Sequence, residues 1–339
     1  MVEPARMPDG APVPVGVVDL IGHTPLVQLT RYLAREDIAL FAKLEAANPG
    51  GSAKDRPARH MVEQALARGD ITRESTLVES SSGNMGIGLA QVCRYHGIAL
   101  ICVVDVNAQA QNVAIMAALG ATIHRVSQPL AGDFLAARMA AVEQIVAETP
   151  GAVWLNQYVN HDNPGAHQIG AIVEIDAAMG GAIDTLFVAT SSTGTAQGCR
   201  DYLSEQGRDT RVIAVDAQGS TLFGGTAGTR FIPGMGAGRE PGLARGQVFS
   251  RVVRVGDGRC VAGCRRAAER EALLVGGSGG GVLEAVRGLA DELAGQRVAV
   301  ILHDSGTRYL DTIFDDAWVA HKLGLSPVDI RRMIDDIDA

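Results

Sequence analysis

The chain is expected to fold as an α/β protein built on two doubly wound parallel sheets. Two observations predict this. Apolar runs of strand length alternate with helix-like runs from Thr24 to Ala320, and continuous apolar strands are what a parallel sheet covered on both faces requires. The number of these units is also larger than one sheet calls for, which points to two. A length of 339 residues allows one large or two ordinary domains.

Composition narrows the class. Hydrophobic residues make up 47% and charged residues 20%, a globular balance. The net charge of −8, with no basic stretch interleaved with aromatics, argues against a general nucleic-acid binder, which needs a basic face. The five cysteines, Cys93, Cys102, Cys199, Cys260 and Cys264, are odd in number and scattered. That argues against a disulfide framework and for a reducing, cytoplasmic setting. Cys260 and Cys264 could share a helical face, but no second pair or nearby histidine accompanies them, so core packing is expected and no metal. No apolar run approaches the roughly 18 residues of a membrane span. The first 16 residues hold four prolines and two glycines without an apolar signal core, and are expected to form a flexible leader.

The elements follow in order. Thr24–Leu29 and Ala39–Glu45 read as strands, and Pro57–Ala67 as a helix, with Pro57 suited to its first turn. Thr76–Glu79 is a strand and Met85–His96 a helix closed by Gly97. Leu100–Val104 is the next strand, 107–119 a helix and Thr122–Val126 a strand. Phe134–Glu148 is helical and Val153–Tyr158 a strand. The alternation then repeats: helix His167–Met179, strand Thr185–Thr190, helix Ala196–Glu205, strand Arg211–Asp216. Gly219 to Gly246 holds nine glycines and two prolines, so an irregular segment is expected. Helices Cys260–Ala272, Val282–Leu293 and Tyr309–Ala320, and a strand Val298–Leu302, complete the pattern.

Four junctions carry chemistry. Asn48-Pro49-Gly50-Gly51-Ser52-Ala53-Lys54-Asp55-Arg56 joins a strand to a helix, the place where open α/β sheets put ligands. A lysine just before a helix is disfavoured by the dipole, which suggests a task for Lys54, although a solvated lysine would look the same. Ser80-Ser81-Ser82-Gly83-Asn84-Met85-Gly86 aims hydroxyls and N–H groups at a helix N-terminus, an anion site or merely a cap. Ser191-Ser192-Thr193-Gly194-Thr195 can cradle a phosphate with N–H and O–H donors, or be a capped turn. It has no lysine, so it is not a P-loop. The cluster Gly276–Gly281, with Ser278 inside it, fits no dinucleotide fingerprint and alone reads equally well as a flexible turn.

Together these motifs resemble the fold-type II pyridoxal-phosphate enzymes of the cysteine synthase and cystathionine β-synthase group. The resemblance extends from Ile21-Gly22-His23-Thr24-Pro25-Leu26 to Tyr309-Leu310. It implies two sheet domains with the cofactor in the cleft between them. The larger cofactor domain is expected at 17–57 and 160–325, a smaller mobile domain at 58–159, and a helical tail at 326–339. It implies that Lys54 carries pyridoxal 5′-phosphate, that Asn84 contacts the ring hydroxyl, and that Ser191, Ser192, Thr193, Gly194 and Thr195 hold the phosphate. Ser278 would face the ring nitrogen. A hydroxyl there would not keep that nitrogen protonated as a carboxylate would, which suits β-elimination better than transamination. Ser81, Ser82, the Met85 backbone and Gln157 would hold a substrate carboxylate. Tyr158 follows in the same segment, or is a packed core aromatic. Cysteine synthases commonly have threonine at the Met85 position and proline at Ser80, so the resemblance leaves the identity of the amino-acid substrate open.

A narrower likeness runs through Phe41–Glu45, Lys54–Ala58, Cys102–Asp105, Asn156–Tyr158, Val215–Ser220, Pro233–Ala237 and Arg308–Asp311. These runs resemble the branch of the group that joins L-glutamate to the β-carbon of O-phospho-L-serine for 2,3-diaminopropionate and siderophore synthesis. A dianionic donor requires positive charge near its leaving group, and Arg230, Arg239 and Arg138 are the candidates. Arg138 reads more simply as a solvated surface residue. The partners implied are small amino acids and a second copy of the chain, a homodimer. The rivals are a sulfide-using cysteine synthase, a threonine or serine dehydratase, and a non-catalytic ligand sensor.

Overall fold

The computed structural model describes residues 13–335. Most of the expected leader, and the last residues of the tail, lie outside them. In chain order the elements are β1 (Leu26–Gln28), β2 (Ala39–Leu44), α1 (Asp55–Arg68), β3 (Thr76–Ser80), α2 (Asn84–His96), β4 (Ala99–Asp105), α3 (Ala110–Ala118), β5 (Thr122–Val126), α4 (Phe134–Glu148) and β6 (Ala152–Val153). They continue with α5 (Asp162–Gln168), α6 (Ala171–Ala178), β7 (Thr185–Ala189), α7 (Gly194–Glu205), β8 (Arg211–Ala217), β9 (Arg251–Val255), α8 (Asp257–Glu271), α9 (Gly277–Gly288), β10 (Arg297–Leu302), α10 (Asp316–Leu323) and α11 (Pro327–Asp335).

Two sheets form. The larger runs β1-β2-β10-β7-β8-β9 and the smaller β5-β4-β3-β6. All pairings are parallel except the β1–β2 edge. The larger sheet separates two apolar cores: Leu40, Phe187, Val215 and Val300 face α8 and α9, while Leu186, Val188, Val212 and Ile301 face α6 and α7. In the smaller sheet, Leu77, Leu100 and Val104 pack on α1, α2 and α3, and Val78 and Val103 on Val142 of α4. Strands buried on both faces read as unbroken apolar runs, which is why the alternation was visible in the sequence.

The departures have local causes. The strand expected at Val153–Tyr158 stops at Val153. Asn156 adopts φ 53° and its Oδ1 accepts the Tyr158 N–H at 3.2 Å, so a side chain makes the turn that a ladder would have opposed. The helix expected over His167–Met179 is two, broken at Gly170, whose φ of −123° and ψ of −98° are not helical. The helix expected from Tyr309 begins only at Asp316, where Asp315 caps it by accepting the Ala317 N–H at 2.9 Å. Edge strand β9 was not anticipated, because Arg251 and Arg254 interrupt its apolar run. The Gly276–Gly281 cluster is not a turn but the start of α9. A Cβ on Gly280 would lie 2.3 Å from the Cys260 carbonyl; the glycines let α9 pack directly on α8.

Candidate active site

Lys54 is the residue immediately preceding α1. The chain is tied there on both sides. Ala53 N–H donates to the His303 carbonyl at 2.8 Å, and Ala58 N–H to the Lys54 carbonyl at 3.0 Å. Lys54 N–H donates to Ser52 Oγ at 3.2 Å. Burial pushes the ammonium pKa down, while Asp304 and Glu45 act in the opposite sense. Beneath the lysine lies a buried ion network. Arg56 Nε meets Glu45 Oε2 at 2.7 Å, Arg56 Nη1 meets Glu174 Oε1 at 2.7 Å, and Lys43 Nζ meets Glu174 Oε2 at 2.6 Å. Removing one member of such a network would leave a buried charge unpaired, so the loop is held stiffly. Asp55 accepts the Gly50 N–H at 2.5 Å, and burial pushes its carboxyl up to about 7.

The serine loop leaves β3 and starts α2. Ser81 Oγ accepts the Gly86 N–H at 2.9 Å. Asn84 Nδ2 donates to Asp304 Oδ2 at 2.8 Å, and its Oδ1 accepts from Arg308. Met85, Ser81 and Gln157 are buried. Arg138 is not a solvated surface residue. Its side chain is 13% exposed and its Nε lies 3.1 Å from Asp105 Oδ2, while Nη1 donates to Ser82 Oγ at 3.3 Å. Burial pushes the Tyr158 phenol up, and Arg138 pulls it down. Under the loop, Glu79 accepts from Trp154 Nε1 at 3.2 Å. Burial raises its carboxyl to about 7.

The hydroxyl loop between β7 and α7 has Thr193 at φ 69° and no side-chain cap on the helix N-terminus. Its hydroxyls are fixed from outside: Ser191 Oγ donates to the Gly236 carbonyl at 3.0 Å, Asn163 Nδ2 to Ser192 Oγ at 3.3 Å, and Gln247 Nε2 to Thr193 Oγ1 at 2.9 Å. Thr195 Oγ1 lies 3.1 Å from Nε2 of buried His167, and Gly194 begins the helix. Ser278 is the second residue of α9 and is buried. The two loop arginines behave differently from Arg138. Arg230 folds back, with Nη1 on the Met235 carbonyl at 3.3 Å, and Arg239 is exposed.

Sequence reasoning missed Asp304, Arg308 and Tyr309. They lie in the turn after β10, just ahead of and at the start of the helix expected from Tyr309. The signal was a polar run, His303-Asp304-Ser305, at the C-terminal end of a buried parallel strand, which is where such sheets gather functional groups.

The residues fit a pyridoxal phosphate. A desolvated lysine suits a carbonyl cofactor, an uncapped helix N-terminus framed by hydroxyls suits a phosphate, and the Ser278 hydroxyl lies buried at a helix start. Among the described residues no cluster of histidine, cysteine and carboxylate side chains is arranged to hold a metal, and no helix is long and apolar enough to cross a membrane.

Two largely parallel sheets, each packed on both faces, and a half-buried lysine at a strand-to-helix junction define a class. Residues 17–304 match the family model described as "Pyridoxal-phosphate dependent enzyme", and the chain belongs to that family as a fold-type II member of the cysteine synthase and cystathionine β-synthase group. Within it, the chain is 44% identical to the N-(2-amino-2-carboxyethyl)-L-glutamate synthase of Ralstonia nicotianae over 306 residues, 90% of each chain. It is 40% identical to the synthase of the same description from Cupriavidus metallidurans, over 90% of this chain and 91% of the other. Among solved structures, the O-acetylserine-dependent cystathionine β-synthase of Helicobacter pylori superposes with a TM-score of 0.83 at 30% identity, covering 88% of this chain and 98% of that one. A hydrogen sulfide-producing enzyme of Fusobacterium nucleatum gives 0.82 at 28% identity, covering 88% and 100%.

Proposed function

We propose that this chain catalyses β-replacement on O-phospho-L-serine with L-glutamate as the nucleophile, giving N-(2-amino-2-carboxyethyl)-L-glutamate for 2,3-diaminopropionate and siderophore synthesis. The observation that carries the reading is the 44% identity to a synthase of that description across nine-tenths of both chains. In this reading Lys54 binds pyridoxal phosphate, Ser191 to Thr195 and the start of α7 receive its phosphate, Asn84 meets its ring oxygen, and Ser278 meets its ring nitrogen. Bound there, the cofactor supplies an electron sink for charge developing at the substrate α-carbon.

The remaining chemistry belongs to side chains. The Lys54 amine, made easier to deprotonate by burial, takes the proton from the α-carbon and returns it once the new bond is made. The Cβ–O bond breaks and phosphate departs; the amine of glutamate then bonds to the same carbon and loses a proton. Ser81, Ser82, the Met85 N–H and Gln157 orient the α-carboxylate, with Tyr158 beside them. Arg138 takes the place of first candidate for the leaving phosphate, because its Nη1 is already on Ser82. Arg230, turned onto its own loop, and exposed Arg239 follow it. Closure of the smaller half excludes water that would compete with glutamate.

The test is to incubate purified protein with O-phospho-L-serine and either L-glutamate or sulfide, and to identify the products by mass. The glutamate adduct is expected. Cysteine as the main product would favour the second reading, a cysteine synthase, which draws support from the likeness to sulfur-handling enzymes at 28–30% identity. Keto acid released without any acceptor would favour a dehydratase.

A further inference from the structure

Asn84 is approached from two sides by the turn that follows β10. Asp304 Oδ2 accepts from its Nδ2 at 2.8 Å, and Arg308 donates to its Oδ1. Guanidinium can only donate, and an ionised carboxylate can only accept, so the amide cannot flip without losing both bonds. Each partner is itself anchored. Tyr309 Oη donates to the same Asp304 oxygen at 2.6 Å, and a second Arg308 nitrogen donates to the Gly50 carbonyl of the lysine loop. The Asp304 backbone pairs with Ser52 and accepts the Gly276 N–H at 3.1 Å.

A separate observation concerns Gly276. Its φ of −71° is open to any residue, so the glycine is not there for its backbone freedom. A Cβ at that position would lie 1.9 Å from Asp304 Oδ1 and 2.9 Å from Tyr309 Cε2. Gly276 therefore forms a slot that seats the buried carboxylate. The slot, the carboxylate and the arginine join the lysine loop, the start of α9 and the start of α2 at one point.

We propose that Asp304 and Arg308 are positioning residues that lock the Asn84 amide so that its remaining Nδ2–H, and not its oxygen, is offered to the ring oxygen of the cofactor. This rests on the reading of Asn84 given above. An N–H donor favours the ionised ring oxygen, the form that absorbs in the visible; an amide free to flip would also stabilise the protonated form, which absorbs in the near ultraviolet.

The experiment uses holoenzyme carrying Asp304→Asn, Arg308→Gln or Gly276→Ala. Each is checked for folding by its melting curve and for the cofactor adduct on Lys54 by borohydride reduction and peptide mass. The adduct is expected to persist in all three. The ratio of visible to near-ultraviolet absorbance should fall severalfold, and the Kd for pyridoxal phosphate should rise by about tenfold, the scale of one charge-assisted hydrogen bond. Ratios and Kd values within about twofold of the parent in the folded variants would overturn the clamp while leaving the Lys54 reading intact. Absence of the Lys54 adduct in the parent would overturn both. If Asp304→Asn does not fold, Arg308→Gln, changed at a half-buried site, still decides the matter.

Discussion

The two halves of the molecule are built to different standards. In the larger one every residue of β7 is buried, and the sheet lies between two extensive apolar cores. In the smaller one, β5 exposes Thr122, His124 and Arg125, and the face under α4 is closed by only three fully buried side chains, Val78, Val103 and Val142. The hydroxyl loop and Ser278 stand on the first half, and the serine loop and Arg138 on the second. A cofactor held through many turnovers gains from a rigid platform, whereas a substrate that must enter and leave needs a part that opens at low cost. The difference in packing is what the function proposed above would require.

The strongest way to break the comparison is at its rigid end. Lys54→Ala should lower turnover by roughly 10²–10⁴-fold, the scale of a lost general base, and leave the purified protein without the visible absorbance band expected of the parent. Its melting temperature without cofactor should stay near that of the parent. A coloured, active variant would remove Lys54 from the site. On the opening side, Arg138→Gln should reduce kcat/KM for O-phospho-L-serine by roughly tenfold to a hundredfold, a charge-assisted contact, whereas Arg239→Ala should change it less than about twofold. Equal effects of the two substitutions, measured by initial rates, would break the assignment of the donor phosphate to the smaller half.

A third test uses pH to probe one buried group of the smaller half. Burial raises the Glu79 carboxyl from 4.5 to about 7, so the folded state binds this proton more tightly than the unfolded one. The resulting stability is fully present below about pH 4.5 and is lost as pH rises towards 7; over the whole window it amounts to at most about 3 kcal/mol. Glu79→Gln should flatten that slope in urea titrations between pH 5 and 7.5, and an unchanged slope would mean that Glu79 titrates normally. The smallest effect concerns motion itself. Hydrogen exchange of β4 and β5 amides should be faster than that of β7 and β10, and should slow when O-phospho-L-serine binds. Indistinguishable protection in the two sheets would end the comparison.

How much of this was legible in the sequence depended on whether a feature was local. The buried strands were visible because continuous apolar runs leave a periodic trace. Lys54 and Asn84 could be singled out as candidates because each stands in a dense motif at a junction, and Ser278 because the resemblance points to it. Arg138 was not placed, because nothing within α4 signals that Asp105 and Ser82 lie against it. Asp304 and Arg308 escaped for the same reason: their partners, Asn84 and Gly50, are distant in sequence. The Gly276–Gly281 run stayed ambiguous in the sequence because glycines that permit close approach look the same on paper as glycines that permit a turn.

The pairing of β2 with β10 has a consequence for biosynthesis. Ala39 lies opposite Arg297, so a strand made early must wait for nearly the last one. The smaller sheet is complete once Val153 has been made, and at a ribosomal pace of about 5–20 residues per second it has many seconds to form alone. During that interval β2 has only the short antiparallel β1 beside it, and its other edge, apolar and unpaired, is open to any strand that passes. The half that ends as the rigid platform is thus the one most exposed to mispairing while the chain is being made.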